Sequence, residues 1–149
     1  MTVDELPLWA LELLREARVA HLGLLDEDGF PRVLPVTFAL HEGAAWSAVD
    51  DKPKRRRGKD LARVRRLRTQ PRSSLTVDRY DEDWSKLAWV QLVGTTAVLD
   101  AVGNEAAVAA LAARYDAYRE RPPGGPLLRL EPLRARCWRA REDGDRVAP

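Results

Sequence analysis

The densest chemistry in this sequence is a run of cations. Between residues 52 and 72 stand Lys52, Lys54, Arg55, Arg56, Arg57, Lys59, Arg63, Arg65, Arg66, Arg68 and Arg72, opposed by Asp60 alone. The whole chain carries a net charge of only +2, so the remainder is acidic on balance. Like charge packed this closely repels itself, and an anionic partner offsets the cost. A solvated helix face interleaves acids with bases; here the acids are missing. The run leaves an apolar strand pattern and enters a helical one. Backbone amides at a helix N-terminus favour anions, and flanking Lys and Arg add charge-assisted bonds to phosphate oxygens. A phosphorylated, anionic small molecule is the expected ligand. Nucleic acid is the rival partner, but residues 52–72 contain no aromatic for base stacking. No helix-turn-helix, zinc-finger or RNA-recognition signature accompanies the charge.

Side-chain catalysis is poorly supplied. The two histidines, His21 in an apolar strand and His41 at a turn, with the single Cys137, do not reach the three or four ligands a metal site needs. His21 and Cys137 read as structural residues of their strands. Neither a Gly-x-Ser-x-Gly elbow nor a phosphate-cradling glycine loop is present. Asp81-Glu82-Asp83 reads as a solvated acidic turn. No catalytic or metal-binding residue is assigned, so an enzyme here would lean on a bound cofactor for the difficult step.

The elements that must position that cofactor follow from periodicity. Of the 149 residues, 1–141 read as one domain and 142–149 as a flexible polar tail. One cysteine excludes an internal disulfide, and the acidic start Met1-Thr2-Val3-Asp4-Glu5 is unlike a signal peptide. No run approaches the roughly 18–20 apolar residues of a membrane span. The expected compartment is the cytoplasm. Thr2-Val3-Asp4-Glu5 is a capping box that predicts a helix to about Arg18, with Leu8, Leu11 and Leu14 on its apolar face. Strands are predicted from Val19 to Leu25, through Leu34, Val36, Phe38 and Leu40, from Ala44 to Val49, through Leu75 and Val77, from Ala88 to Leu99, and from Leu127 to Ala140. Gly94 marks a bulge in the fifth, and Pro132 an edge position or bulge in the last. Leu61, Val64 and Leu67 face one side of a short helix that Gln70-Pro71 ends. Val108, Leu111, Tyr115 and Tyr118 mark a further helix starting near Asn104. The class is mainly β (α+β): six antiparallel strands in hairpin order, forming a barrel with peripheral helices.

In that order, Leu34-Pro35-Val36-Thr37-Phe38, Ala45-Trp46-Ser47-Ala48-Val49, the basic loop and helix, and Gln70-Pro71-Arg72-Ser73-Ser74-Leu75-Thr76-Val77-Asp78 are followed by a long strand through Gly94 and a last strand closing with Trp138. Together they resemble the pyridoxamine-phosphate-oxidase-like split β-barrels, the flavin/deazaflavin oxidoreductases. Asp50-Asp51-Lys52-Pro53-Lys54 and the block from Tyr80 to Val90, with Asp81-Glu82-Asp83-Trp84-Ser85, are similar to an actinobacterial subgroup assigned to coenzyme F420. The resemblance implies a homodimer with its ring-bearing cofactor near Pro35, Val36, Thr37 and Ser47. It implies a phosphate tail along Lys52, Lys54, Arg55 and Arg63, and an approach by Trp89 and Gln91 from the partner. Where the family often has an asparagine before the helix-ending proline, this chain has Arg66 and Leu67. The expected reaction is hydride transfer between reduced F420 and a small organic substrate. FMN is the alternative cofactor, and a non-catalytic cofactor or haem-type carrier the alternative role. Trp46, Trp84, Trp89 and Tyr80 suit either a pocket over the ring or core and dimer contacts.

Overall fold

The computed structural model describes residues 1–49 and 57–140, with side chains in the helix that opens at Arg57 described from Ala62 onward. Its strands are β1 (Ala20–Leu25), β2 (Pro31–Val36), β3 (Ala39–His41), β4 (Ala44–Ala48), β5 (Arg72–Arg79), β6 (Ala88–Leu99) and β7 (Leu127–Arg139). Its helices are α1 (Leu8–Glu16), α2 (Arg57–Thr69), α3 (Glu105–Arg114) and α4 (Asp116–Glu120). Among the described residues no helix is long and apolar enough to cross a membrane.

The strands form one antiparallel sheet in the order β2-β1-β5-β6-β7-β4-β3. Its two edges, β2 and β3, are neighbours in sequence, joined only by Thr37 and Phe38. Laid flat, seven strands would hold those edges roughly 29 Å apart. The chain from Val36 to Ala39 can span at most about 11 Å. The sheet must therefore curl until its edges meet, and they meet without a ladder between them. The result is seven strands and an open seam where six strands in a barrel were expected. The alternation of Leu34, Val36, Phe38 and Leu40 does continue, but the chain pairs with β1 as far as Val36 and with β4 from Ala39.

Two helix expectations also change. Thr2 N–H donates to the Glu5 carboxylate at 2.6 Å, as a capping box requires, yet it closes only a single 3-10 turn, Val3–Glu5. Pro7 disfavours helix at the residue before it, and Leu6 is extended (φ −63°, ψ 139°). The helix proper begins at Leu8 and buries Ala10, Leu13 and Leu14, leaving Leu8 in solvent. The later helix is interrupted at Tyr115, whose backbone is extended (φ −126°, ψ 121°).

Apolar side chains divide between two cores. The larger fills the curl, with Leu22, Val36, Phe38, Val77, Val90 and Leu92 among its members. The smaller lies between the outer side of β3–β4 and α3, around Ala39, Trp46, Leu111 and Leu127. β4 is thus covered on both sides, and all five of its residues are buried. Trp46 belongs to this second core.

β6 and β7 pair along their whole length, with a register shift at Val93/Gly94. Pro132 faces Gly94 there, and β7 lies inside the sheet, so the proline marks a bulge and not an edge. A Cβ on Gly94 would stand 1.9 Å from the Glu131 carbonyl oxygen. Gly94→Ala is expected to cost about 3 kcal/mol through overpacking. Gly124→Ala, whose Cβ meets nothing within 4 Å, is expected to leave the urea midpoint close to the parent's.

Candidate functional site

The seam between β2 and β3 leaves Thr37 and Phe38 outside both strand ladders, and side chains meet their polar groups instead. The Tyr115 hydroxyl accepts from Phe38 N–H at 3.0 Å and turns its own proton toward the carbonyls of Phe38 (3.0 Å) and Arg18 (2.9 Å). Ser47 Oγ donates to the Thr37 carbonyl at 2.6 Å. The Thr37 and Tyr118 hydroxyls share a proton contact at 2.7 Å. Three side chains from β4 and the α3–α4 corner thus hold a segment of two residues.

Two arginines brace this arrangement. Arg114 lies over the Phe38 ring (4.7 Å to the centroid) and donates to the carbonyls of Leu14 (3.3 Å) and Ala17, at the end of α1. Arg18 donates to the Arg114 carbonyl, at the end of α3, and covers the Tyr115 ring at 4.6 Å. Each guanidinium meets carbonyls that a helix C-terminus leaves unsatisfied. Burial pulls the Arg114 pKa down; Tyr115 opposes the shift and the Arg18 charge adds to it.

A second feature is the outer face of β2-β1-β5-β6-β7. The register places Pro35, His21, Thr76, Gln91 and Arg136 side by side across five strands. Directly paired residues share a face, and the neighbours Val36, Ala20, Leu22, Leu75, Val90 and Leu92 point into the core. Gln91 Nε2 donates to Thr76 Oγ1 at 3.2 Å, which fixes the direction of the carboxamide. Above this row Trp89 pairs with Trp138, and below it Val33 is 65% exposed. His21 is accordingly an exposed residue of this face, not the packed structural histidine that its apolar flanks predict.

Of the residues expected at a cofactor site, Thr37 and Ser47 are joined directly, and Val36 lines with Ser47 a small apolar cavity inside the curl. Pro35 is exposed on the outer face, in the same row as Gln91 but with β1 and β5 between them. Trp89 is half-buried on that face. Arg63 is half-buried on α2. Lys52, Lys54 and Arg55 lie outside the described residues. Arg66 donates through Nε to the Leu25 carbonyl at 2.8 Å, a bond that ties α2 to the end of β1. Trp84 and Tyr80 are exposed beside the acidic turn, where the Ser85 hydroxyl and N–H hold the Asp83 carboxyl below its usual pKa. Burial pushes the Cys137 thiol up, consistent with a residue packed against the core.

Sequence reasoning missed Tyr115 and Tyr118 as holders of the seam, because their spacing reads equally as a helix face. Tyr115→Phe keeps the ring and deletes the hydroxyl, leaving a buried N–H without its acceptor. A loss of about 2 kcal/mol is expected, measured as a lower denaturation midpoint with an unchanged slope.

The sequence pattern of pyridoxamine 5'-phosphate oxidase matches residues 10–139. No curated protein matches the chain. Among solved structures, the conserved hypothetical protein Rv2991 of Mycobacterium tuberculosis superposes with a TM-score of 0.70 at 18% identity, over 99% of this chain and 95% of that one. A FAD-binding protein of Mesorhizobium loti gives 0.62 at 18%, over 89% and 93%. A haem-binding protein of Mycobacterium smegmatis gives 0.69 at 23%, over 94% of this chain but only 57% of that one. At these identities the superpositions speak for the fold alone. With the family's pattern running from within α1 to the last residue of β7, the chain belongs to the pyridoxamine 5'-phosphate oxidase family.

Proposed function

We propose that the protein is a cofactor-dependent oxidoreductase that binds reduced coenzyme F420, with FMN as the alternative, in two sites of a homodimer. The observation that carries this reading is the uncovered polar row beside the seam. Pro35 and Thr37 offer a rigid support for a flat ring, and the row running from His21 through Thr76 to Gln91 supplies donors and acceptors. Those residue types fit a heteroaromatic ring edge that carries both N–H and C=O groups. Within one subunit two strands, β1 and β5, separate Gln91 from Pro35, so the reading takes Trp89 and Gln91 from a second copy docked on this face. The acidic tail would follow Lys52, Lys54, Arg55 and Arg63.

Charge favours the deazaflavin. A single FMN phosphate brings about −2, whereas F420 adds a phosphodiester and an oligoglutamate tail along an extended path. Eleven cations against Asp60 in residues 52–72 match the longer anion better. When bound, such a group supplies hydride transfer. The chain's own part is to orient the ring and substrate and to keep water out.

Fluorescence titration with purified F420 and with FMN tests the choice. Tight binding of the deazaflavin is expected, weakened about tenfold or more when Lys52, Lys54 and Arg55 are all changed to Ala. Tight FMN binding with no response to F420 would reverse the cofactor, and binding of neither would end the proposal. Val33→Arg should convert a dimer to a monomer in light scattering and lower cofactor affinity in step.

A second reading, a haem-type carrier without turnover, is favoured by the exposure of His21 on the same face and by the haem-binding protein of similar fold. It requires a Soret band on adding hemin that His21→Ala removes.

A further inference from the structure

We propose that Tyr118 is a positioning residue for the Thr37 hydroxyl, fixing its direction at the cofactor ring; the inference rests on the ring site proposed above. Within Pro35-Val36-Thr37, Thr37 has the one side chain able to form a hydrogen bond. A threonine hydroxyl rotates freely until something holds it, and its χ1 has alternatives in extended backbone. Tyr118, from α4, meets that hydroxyl at 2.7 Å. Tyr118 is itself braced edge-on against Tyr115, with ring centroids 5.6 Å apart and planes at 77°. Its backbone N–H donates to the Tyr115 carbonyl at 3.0 Å.

A purely structural role explains this contact poorly. The path of the main chain is already held by Ser47 on the Thr37 carbonyl and by Tyr115 on both polar groups of Phe38. The bond from Tyr118 adds nothing to that path. What it adds is a single direction for the hydroxyl of Thr37, so that a ring arriving at the seam meets an oriented dipole in place of a rotor. Orientation set before binding lowers the ordering cost that binding must otherwise meet.

The test uses Y118F, T37V and the double variant in the full chain, titrated with whichever of F420 or FMN the parent binds, and separately with inorganic phosphate. Y118F and T37V should each weaken the ring-bearing probe about tenfold, and the double variant should be no weaker than either, because the two residues act as one unit. The absorption band of the bound ring should shift in both single variants. Thr37→Ser, which keeps the hydroxyl, should restore affinity, and binding of inorganic phosphate should stay at the parent's value in all of them. Parental affinity and an unshifted band in Y118F would overturn the inference while leaving the cofactor assignment intact. Additive losses in the double variant would also overturn it. Should T37V fail to fold, the band position in Y118F decides alone. A parent that binds neither cofactor would remove the proposed function first, and this inference with it.

Discussion

Thr37 and Phe38 carry the chain from one edge of a seven-stranded sheet to the other, and a link of two residues cannot do so unless the sheet rolls up. Rolling brings two strand edges together without pairing them, and the backbone at the crossing loses the partners a ladder would have given. Those groups cannot be left bare next to Phe38, which is fully buried. The hydroxyls of Ser47 and Tyr115 take over, and two arginines lock the helix ends around Tyr115. The candidate ring support is thus a by-product of closure: a segment of irregular backbone held by side chains lies where topology forces the break.

The same closure decides which surfaces remain open. α1 fills the mouth of the curl, and α3 covers the outer side of β3–β4. The outer side of the remaining five strands keeps a row of polar groups between apolar neighbours, including Trp89, Trp138 and Val33. Large apolar residues rimmed by polar ones on a sheet face are unusual for a surface that meets only water. On α2, Arg65 and Arg68 reach solvent while Arg66 is drawn inward to the Leu25 carbonyl. Part of the basic run therefore builds the fold.

Much of this was legible in the sequence where a pattern is long. β6 begins and ends where alternation predicts, and the glycine at its centre marks the bulge, because only a residue without Cβ clears the Glu131 carbonyl. The break between β2 and β3 was illegible for a specific reason. Leu34, Val36, Phe38 and Leu40 all pack toward one core, so the alternation runs unbroken while the pairing partner changes. His21 was misread because apolar residues surround it in sequence, although period two turns Ala20, Leu22 and Leu24 inward and His21 out. Tyr115 and Tyr118 matter through single oxygen atoms, and hydropathy spacing carries no information about a hydroxyl.

The contacts that seat the seam join residues far apart in sequence: Phe38 meets Tyr115 across 77 positions, Thr37 meets Tyr118 across 81, and Arg18 meets the Tyr115 hydroxyl across 97. Such separations carry a large loop-closure cost, which falls early in folding while the reward comes late. A ribosome making this chain exposes the first four strands long before it delivers the tyrosines that anchor their junction. Until β7 emerges after the α3–α4 corner, β3 and β4 pair only with each other and are tied to the other strands by no ladder. The seam is consequently the last part of the first half of the protein to mature, and its geometry is a certificate that synthesis has passed β7.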